Sequence, residues 1–337
     1  MRMLRRLWRG ILPLPRGQAL ILMYHRIAES NLDPWRLCVS PPVFDRQLEW
    51  LRQNCRVVPL RQLAAELRIG KSAKRTVAIT FDDGYADNLI NGAPLLAKHG
   101  LPATFFLTTA TLGSKREFWW DELERLLLQP QALPAVLHVG ANGQSRAFQP
   151  GPGAAKPWDP RSSRGVHPWD AAPDTRLEFY YTVWSFLRPL EQVARQGALA
   201  QIRQQLGAVE QLRETHRTLD IAEVRRLAAC AGVDIGAHSV THAAFSDRSA
   251  EQQRWELQQS KRELEDLIGR PVYGFAYPYG AYGPESAQLA IEAGYEFACT
   301  TEEKRLSSNT ALHLLPRLAV DNWHEAALAW RVRKAIV

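Results

Sequence analysis

Short apolar runs rich in β-branched residues alternate with amphipathic segments along most of this chain. The first part reads ALILMYH, CRVVPL, TVAITFDD and ATFFLTT, and a segment with helical spacing follows each run. The later part repeats the rhythm in VDIGAH, VYGFAYPYG, EFACTT and LHLLPRLAV. Apolar strands separated by single helices are typical of parallel sheets, because parallel strands need crossover connections. The pattern therefore predicts an α/β fold, and it leaves a barrel and a doubly wound sheet equally open.

A segment rich in proline and glycine interrupts this rhythm. Between Pro130 and Pro173 lie 8 of the 21 prolines, five glycines and two isolated tryptophans, Trp158 and Trp169. Neither the helical nor the strand period survives there. Residues 176–215 then return to helical spacing. We interpret the chain as one domain over residues 17–337 with an insertion at about 130–175, preceded by a separate segment at 1–16.

Composition excludes several classes of protein. The chain has 337 residues, of which 46% are hydrophobic and 23% charged, so it can bury a sizeable core and is neither disordered nor fibrous. Its four cysteines lie far apart without a CxxC pair, which argues against a disulfide scaffold and a cysteine zinc site. No apolar run reaches the length of about 18 residues that a membrane-spanning helix needs.

The net charge of +7 does not indicate a nucleic-acid partner. Five arginines stand in residues 1–16, a segment without any acidic residue. The rest of the chain therefore has 37 basic and 35 acidic residues, a net charge of +2. A binding face for phosphates needs a stronger cationic excess.

Residues 1–16 have the pattern of a short basic amphipathic helix, with apolar side chains on one face and arginines turned away. Pro13, Pro15 and Gly17 interrupt the apolar stretch, and no small-residue cleavage site follows, which favours an uncleaved segment. The sequence thus predicts a cytoplasmic protein with peripheral contact to the cytoplasmic face of the inner membrane. A frayed terminus and a helix packed on the protein body are the alternatives.

Polar side chains that can bind metal follow several of the expected strands. Because the carboxyl ends of parallel strands share one edge of a sheet, these side chains are expected to converge. Two histidines and a carboxylate with open positions form a common site for a divalent ion. Of two adjacent aspartates, one can bind the ion while the other accepts a proton. The residues concerned are Asp82, Asp83, His238, His242, His25 and Tyr279.

Each of these residues also has a structural interpretation. Asp82 and Asp83 can be turn residues before Gly84, Asp87 can cap the next helix, and His238 can be a core histidine. Three or four such residues occur at equivalent strand ends. Their joint occurrence favours one shared metal site over several unrelated structural roles.

Three motifs, TFDDGY, HSVTH and FAYPYG, resemble those of the polysaccharide deacetylases, the NodB-like carbohydrate esterase family 4, and they occur in the family's order. The resemblance spans residues from about Ala19 to Asp321. It implies a distorted (β/α) barrel in which a divalent ion, Zn²⁺ foremost and Co²⁺ or Ni²⁺ as alternatives, assists hydrolysis of N-acetyl groups. It also implies a catalytic base at Asp82, metal ligands at Asp83, His238 and His242, and an oxyanion-binding backbone amide at Tyr279.

The sequence departs from the family pattern at two places. Ala276 stands where the third motif usually has an arginine that steadies the catalytic aspartate, and Arg317 or Arg26 could supply that cation instead. The last strand also lacks the family's catalytic-acid histidine. ALILMYHRI ends an apolar run in His25, which resembles a permuted branch of the family similar to the deacetylases of biofilm exopolysaccharides. His313 is the competing candidate for the acid.

The implied substrate is an N-acetylated amino sugar of a polysaccharide or glycolipid. Sugar rings stack on aromatic side chains, and Trp158 and Trp169 are attractive because their loop offers little core. Two alternatives remain: a deformylase or other amide hydrolase acting on a lipid-linked sugar or small amide, and a carbohydrate-binding protein without catalytic activity. The expected substrate-binding residues are Tyr85, Tyr277, Arg317, Trp119 and Trp120.

Overall fold

The computed structural model describes residues 19–70, 75–114, 116–129, 132–159, 166–306 and 309–336. The amphipathic segment expected at 1–16 lies outside the described residues. The described chain divides into two compact units. The first comprises residues up to Glu29, Leu37–Gly113 and the residues from Thr218 onward; the second comprises Ser30–Arg36 and Ser114–Arg217. The insertion expected at about 130–175 falls within the second unit, which also takes in residues on both sides of it.

The strands in chain order are β1 (Ala19–Tyr24), β2 (Arg26–Ile27), β3 (Cys38–Val39), β4 (Arg56–Val57), β5 (Thr76–Phe81), β6 (Ala103–Leu107), β7 (Leu137–Ala141), β8 (Gln144–Phe148), β9 (Val233–Ala237), β10 (Gly274–Ala276), β11 (Phe297–Cys299) and β12 (Leu318–Ala319).

The α-helices are α1 (Pro41–Asn54), α2 (Leu60–Arg68), α3 (Ala93–His99), α4 (Trp119–Leu128), α5 (Arg176–Leu187), α6 (Gln192–Gln205), α7 (Ile221–Ala228), α8 (Ala250–Ile268), α9 (Ser286–Glu292) and α10 (Glu325–Ile336). Among these described helices, none is both long and apolar enough to cross a membrane.

The first unit is built on a parallel sheet in the order β11-β10-β9-β6-β5-β1-β12, with the short β4 paired to the start of β5. It forms the half-barrel with surrounding helices that the α/β pattern and the family resemblance predict. The first strand of the chain lies between β5 and the last strand, β12. The carboxyl ends of β1, β5, β9 and β10 therefore share one edge of the sheet.

Burial on both faces explains the continuous apolar runs. Leu20, Leu22 and Tyr24 of β1 pack into one core cluster, whereas the alternate residues Ala19 and Ile21 pack into a second. Successive side chains of a strand point to opposite faces, so a strand with a core on each face needs apolar residues throughout.

Local sequence sets the ends of the helices. Asp220 begins α7 with a capping box that includes Glu223, as the spacing predicts. Ser249 and Gln252 form a second capping box at the start of α8, and the left-handed Gly269 ends that helix. The sequence pattern predicts one long helix from about Ser249 to Ile268, and α8 (Ala250–Ile268) confirms it.

Two segments differ from the sequence expectation. The proline-rich segment contains the antiparallel hairpin of β7 and β8, which turns at Asn142 and Gly143, both with positive φ. This turn favours a two-residue hairpin. The expected strand LHLLPRLAV is also much shorter, because only Leu318–Ala319 pairs as a strand.

Candidate active site

Three metal-binding side chains converge at the carboxyl edge of the sheet. Asp83 follows β5, and His238 and His242 lie in the loop that follows β9. All three are buried, and one ligand atom from each lies within 4.8 Å of the others. Nε2 of His242 lies 3.1 Å and Nε2 of His238 lies 3.5 Å from the same oxygen, Oδ1 of Asp83. The structure thus brings together the three residues that the sequence nominated as metal ligands.

The donor set fits a divalent ion. Nδ1 of His238 lies 2.8 Å from the backbone carbonyl of Ala276, and this carbonyl can only accept a hydrogen bond. The imidazole must therefore carry its proton on Nδ1, which leaves the Nε2 lone pair directed to the cluster. Two imidazoles and one carboxylate are characteristic ligands of catalytic zinc and of related divalent ions.

The loop that carries the histidines is held by Glu256 of α8. This buried carboxylate accepts the backbone N–H groups of Val240 at 2.7 Å and Thr241 at 3.0 Å, and it also accepts the Thr241 hydroxyl. Ser239 and His242 have left-handed φ values of 63° and 55°. Such conformations cost free energy and persist only where neighbouring contacts fix them.

Asp82 forms an ion pair with Arg317, the residue directly before β12. Nη1 and Nη2 of Arg317 donate to the two carboxylate oxygens of Asp82 at 2.7 and 2.6 Å, and both side chains are buried. Burial acts to raise the pKa of Asp82, but the charge of Arg317 and its hydrogen bonds, together with the charge of His238 when that imidazole is protonated, outweigh it. The net pKa lies below its ordinary value, so the carboxylate is ionised and oriented at neutral pH.

The backbone is tightly specified around Asp83. Its φ is 75°, and the next residue, Gly84, has a φ of 93°. A Cβ at Gly84 would lie 3.1 Å from a side-chain methyl of Leu107, so the glycine permits both the turn and the close approach. Burial acts to raise the pKa of Asp83, whereas the imidazoles of His238 and His242 beside its carboxylate, when they are protonated, lower it strongly below its ordinary value.

Tyr279 lies beside the metal-binding histidines. Its ring centroid is 4.5 Å from that of His242, at an interplanar angle of 86°. Its φ of 59° makes it the fourth left-handed residue of this region, after Asp83, Ser239 and His242. The described residues contain eight non-glycine residues with positive φ, so half of them lie at this site. Clustering of this kind is typical of functional sites.

His25 comes directly after β1 and is half-buried. Tyr24 pairs with Phe81 in the register of β1 and β5, and the N–H of Asp82 donates to the Tyr24 carbonyl at 3.0 Å, so the backbone of His25 lies beside the aspartate pair. The other acid candidate, His313, places Nε2 2.9 Å from the backbone carbonyl of Tyr295, just before β11 begins. The structure therefore places His25, and not His313, by the aspartate pair.

The five expected substrate-binding side chains are all buried. Arg317 pairs with Asp82, and Tyr277 donates its hydroxyl to backbone carbonyls of Ser286 and His313. The guanidinium of Arg26 covers the ring of Tyr85 at 4.6 Å. None of these three offers a face to a sugar ring, because their relative exposure is 0%. The expectation that these three residues form a substrate-binding surface is therefore corrected.

The two tryptophans of that set belong to the second unit. Trp119 stacks on Trp184 at 5.7 Å, and Trp120 stacks on Phe118 at 4.3 Å. Both indoles are buried in this aromatic packing. They form part of that unit's core, so the expectation that they provide an exposed platform is corrected as well.

Sequence reasoning did not assign roles to Glu256 and Asn88 and treated Asp87 only as a helix cap. The Asp87 side chain makes no capping hydrogen bond and instead accepts from Arg26 and from the backbone of Ile27. The sequence DDGYADN places Asp87 and Asn88 five positions after Asp82 and Asp83, so their spacing from the motif could have singled them out. Glu256 lies within a helix of many charged residues, and nothing in its local pattern distinguishes it.

The family model described as polysaccharide deacetylase matches residues 69–133 and 202–298. The matched segments include Asp82, Asp83, His238, His242 and Tyr279, whereas His25 and Arg317 lie outside them.

Relatives and a solved structure agree with this match. The Bacillus subtilis (strain 168) protein YxkH, provisionally named a polysaccharide deacetylase, is 20% identical over 89% of this chain and 70% of its own length. A poly-β-1,6-N-acetyl-D-glucosamine N-deacetylase of Staphylococcus aureus is 30% identical over 112 residues, which are 29% of this chain and 39% of that protein. The deacetylase PplD of Streptococcus pyogenes, solved with acetate, has the same fold, with a TM-score of 0.59, 17% identity and coverage of 96% of this chain and 100% of that one.

Proposed function

The chain belongs to the polysaccharide deacetylase family, and we propose that it is a metal-dependent hydrolase that removes N-acetyl groups from amino sugars of a polysaccharide or glycolipid. One observation carries the proposal: the buried cluster of Asp83, His238 and His242 lies beside the ion pair of Asp82 and Arg317. The first set can hold a divalent ion, and the second supplies an ionised carboxylate next to it.

Asp83, His238 and His242 are the proposed ligands, with Zn²⁺ as the expected ion and Co²⁺ or Ni²⁺ as alternatives. When bound, such an ion polarises an acyl carbonyl and makes water a stronger nucleophile at neutral pH. The Ala276 carbonyl supports the ligand role of His238, because it fixes the tautomer that can bind metal through Nε2.

Asp82 is the proposed general base. Its carboxylate is ionised, and both of its oxygens are fixed by Arg317, so it can accept a proton from the attacking water in a defined position. The arginine also offsets the cost of burying the charge. Arg317 thereby supplies the cation that the family motif would place at Ala276.

His25 is the proposed general acid, and the backbone N–H of Tyr279 is the proposed donor to the acyl oxygen as negative charge develops there. A protonated His25 can deliver its proton to the departing amine, which is too basic to leave as an anion. The position of His25 directly after β1, beside the aspartate pair that follows β5, supports this role.

The substrate class rests on the named relatives. The Staphylococcus aureus relative acts, by its name, on poly-β-1,6-N-acetyl-D-glucosamine. An N-acetylated amino sugar is therefore the substrate we propose, and a deformylase or another amide hydrolase on this scaffold is tested by the same experiment. A carbohydrate-binding protein without activity is disfavoured because the proposed catalytic residues and metal ligands are all present.

Acetate release from a panel of N-acetylated glycans and glycolipids, joined to elemental analysis of the purified protein, tests the proposal. We expect a chelator to abolish acetate release and added Zn²⁺ or Co²⁺ to restore it. His238→Ala and His242→Ala should lose the ion, whereas Asp82→Asn should retain the ion and lose turnover. Full activity of the demetallated protein, or near-normal turnover by Asp82→Asn, would overturn the mechanism; formate release without acetate release would favour the deformylase.

A further inference from the structure

The segment that follows His25 is tied by polar contacts to the segment that follows the aspartate pair. Oδ2 of Asp87 accepts Nε of Arg26 at 3.0 Å, and Oδ1 accepts the backbone N–H of Ile27 at 2.9 Å. Nδ2 of Asn88 donates to the backbone carbonyl of His25 at 2.7 Å and to Oδ1 of Asp87 at 3.1 Å. The two side chains thus contact three consecutive residues, His25, Arg26 and Ile27.

The contacts are shielded from solvent. Asn88 is 0%, Arg26 is 3% and Asp87 is 9% exposed. The guanidinium of Arg26 also packs over the ring of Tyr85, 4.6 Å from its centroid. Buried charge-assisted hydrogen bonds are stronger and more directional than exposed ones, so this cluster can fix the backbone of His25, Arg26 and Ile27.

The backbone is also held on the other side of His25. The N–H of Asp82 donates to the carbonyl of Tyr24 at 3.0 Å. The carbonyls of residues 24 and 25 and the N–H of residue 27 are therefore all bonded to residues 82–88. One continuous segment carries the proposed base and metal ligand and also holds the main chain from which His25 projects.

We propose that Asp87, together with Asn88, is a positioning residue that holds His25 where it can protonate the departing amine. This inference rests on the proposed function, because it assigns His25 the role of general acid. An aspartate suits the task because an ionised carboxylate offers only acceptors, and Arg26 and Ile27 both present donors to it. Asparagine at position 87 would turn an amide N–H₂ group toward one of these donors and loosen the arrangement.

The leaving group distinguishes positioning of the acid from general damage. An amine needs a proton to depart, whereas 4-nitrophenolate departs without one. We expect Asp87→Asn to lower kcat for an N-acetylated amino sugar by about 10²-fold, the loss typical of a misplaced catalytic group. Hydrolysis of 4-nitrophenyl acetate should change far less. His25→Ala should show the same selectivity, and the double variant should be no slower on the amide than His25→Ala alone.

Glu66→Gln provides a matched control. Glu66 is also a buried carboxylate, and it forms an ion pair with Arg56 at 2.6 Å. Glu66 lies on α2, and Arg56 lies on β4 opposite the first residue of β5, at the amino-terminal end of that strand. This variant should leave the ratio of amide to ester hydrolysis unchanged. Asn88→Ala removes the contacts to the His25 carbonyl and to Oδ1 of Asp87 but leaves the Asp87 carboxylate with Arg26 and Ile27. It should shift the same ratio by a smaller factor, so it decides the question if Asp87→Asn does not fold.

Equal losses on the amide and the ester, or additive losses in the double variant, would overturn the positioning role. Failure of the proposed function looks different, because the wild-type protein would then release no acetate from any N-acetylated sugar. Metal content should be the same in Asp87→Asn as in the wild type, and loss of the ion would show that Asp87 acts on the metal site instead.

Discussion

At the scale of single residues, Asp82 and Arg317 form a buried ion pair between two strand ends that are 235 positions apart in the sequence. Removing one partner from such a pair leaves an uncompensated buried charge and costs about 3–5 kcal/mol. We expect Arg317→Ala to lower the free energy of unfolding in urea by this amount and to reduce kcat in the fraction that remains folded. Arg317→Lys should recover part of the stability, because it retains the charge but not the two-pronged geometry.

Arg61→Ala is the control for this prediction. Arg61 pairs with Glu296 at 2.7 Å, but both side chains are about one third or more exposed, at 44% and 34%. Exposed ion pairs contribute about 0–1 kcal/mol, so this variant should unfold almost as the wild type does. Equal destabilisation by the two alanine variants would show that burial of the Asp82 pair carries no special weight.

The sequence identifies side chains at this scale better than it identifies their contacts. Asp82, Asp83, His238 and His242 are recognisable because motifs place them at strand ends. The partners of His238 and Asp82, the Ala276 carbonyl and Arg317, depend on how strands distant in sequence align. Tyr85 and Tyr277 attract attention as aromatic residues beside the motifs, but only packing reveals that both are fully buried.

At the scale of elements, α8 supports the loop that joins His238 to His242. Glu256→Ala would leave the N–H groups of Val240 and Thr241 without their acceptor, at about 1–3 kcal/mol for each buried donor. The loop should then hold His238 and His242 less well. We expect Zn²⁺ affinity, measured by competition with a chelating dye, to fall by about 10- to 100-fold, the effect typical of residues that support metal ligands.

Glu263→Gln tests whether any change of charge on α8 would do the same. Glu263 lies two turns after Glu256 on α8 and accepts a hydrogen bond from Nε2 of Gln259 at 2.7 Å on its own helix. Its Zn²⁺ affinity should match that of the wild type. Unchanged affinity in Glu256→Ala would instead indicate that the left-handed backbone of the loop is stable by itself.

The short 3₁₀ turn Pro168–Asp170 of the second unit carries a preorganised aromatic face. Trp169 is 54% exposed, and its ring stacks on His167 at 4.3 Å and 7°. Trp35 lies 5.9 Å away. If the substrate is a glycan, Trp169→Ala should weaken binding of an amino-sugar polymer by roughly 3- to 10-fold, corresponding to one aromatic contact of about 0.5–1.5 kcal/mol.

Trp255→Ala supplies a matched comparison, because Trp255 is 50% exposed but lies on α8 of the first unit. Affinity electrophoresis in gels that contain the polymer measures both variants. Hydrolysis of a small N-acetylated sugar should be unchanged in Trp169→Ala. Equal retardation of both variants in the gel would remove the sugar-binding assignment of Trp169.

The hairpin of β7 and β8 shows why an element can be missed. Its strand residues alternate weakly, and β8 exposes four of its five residues, so periodicity gives no clear pattern. The Asn142-Gly143 pair was the available indication, since both residues adopt the positive φ that a tight hairpin turn requires. The prolines and glycines around it concealed this local turn within a segment interpreted as irregular.

At the scale of the whole molecule, the alternation of strands and helices was sufficient to predict the parallel sheet. Strand order was not readable from composition or periodicity, because β1 and β12 pair across nearly the full sequence. The family resemblance and the position of His25 indicated that the first strand completes the site. The division into two compact units was not predicted, since the second unit joins Ser30–Arg36 to Ser114–Arg217, and only tertiary contacts bring such segments together.

Residues 1–16 carry the remaining prediction, which the sequence alone supports. Their apolar face and five arginines suit weak adsorption to an anionic lipid surface. Each arginine contributes about 1 kcal/mol at most, so binding should be reversible and should fall as salt is raised. Removing residues 1–16 should therefore release the protein from anionic liposomes in a sedimentation assay at low salt, while hydrolysis of a small soluble N-acetylated substrate is retained.

A variant with glutamine at Arg2, Arg5, Arg6, Arg9 and Arg16 separates charge from apolar contact. It keeps the apolar face but removes the attraction to anionic lipid, so it should bind poorly at low salt and lose most of its salt dependence. Neutral liposomes should retain little of any form, because a short apolar face alone binds weakly. Equal sedimentation of the full-length and trimmed proteins with anionic liposomes would place the membrane contact elsewhere or exclude it. Loss of sedimentation by the trimmed protein alone would favour a substrate met at the lipid surface, such as a glycolipid.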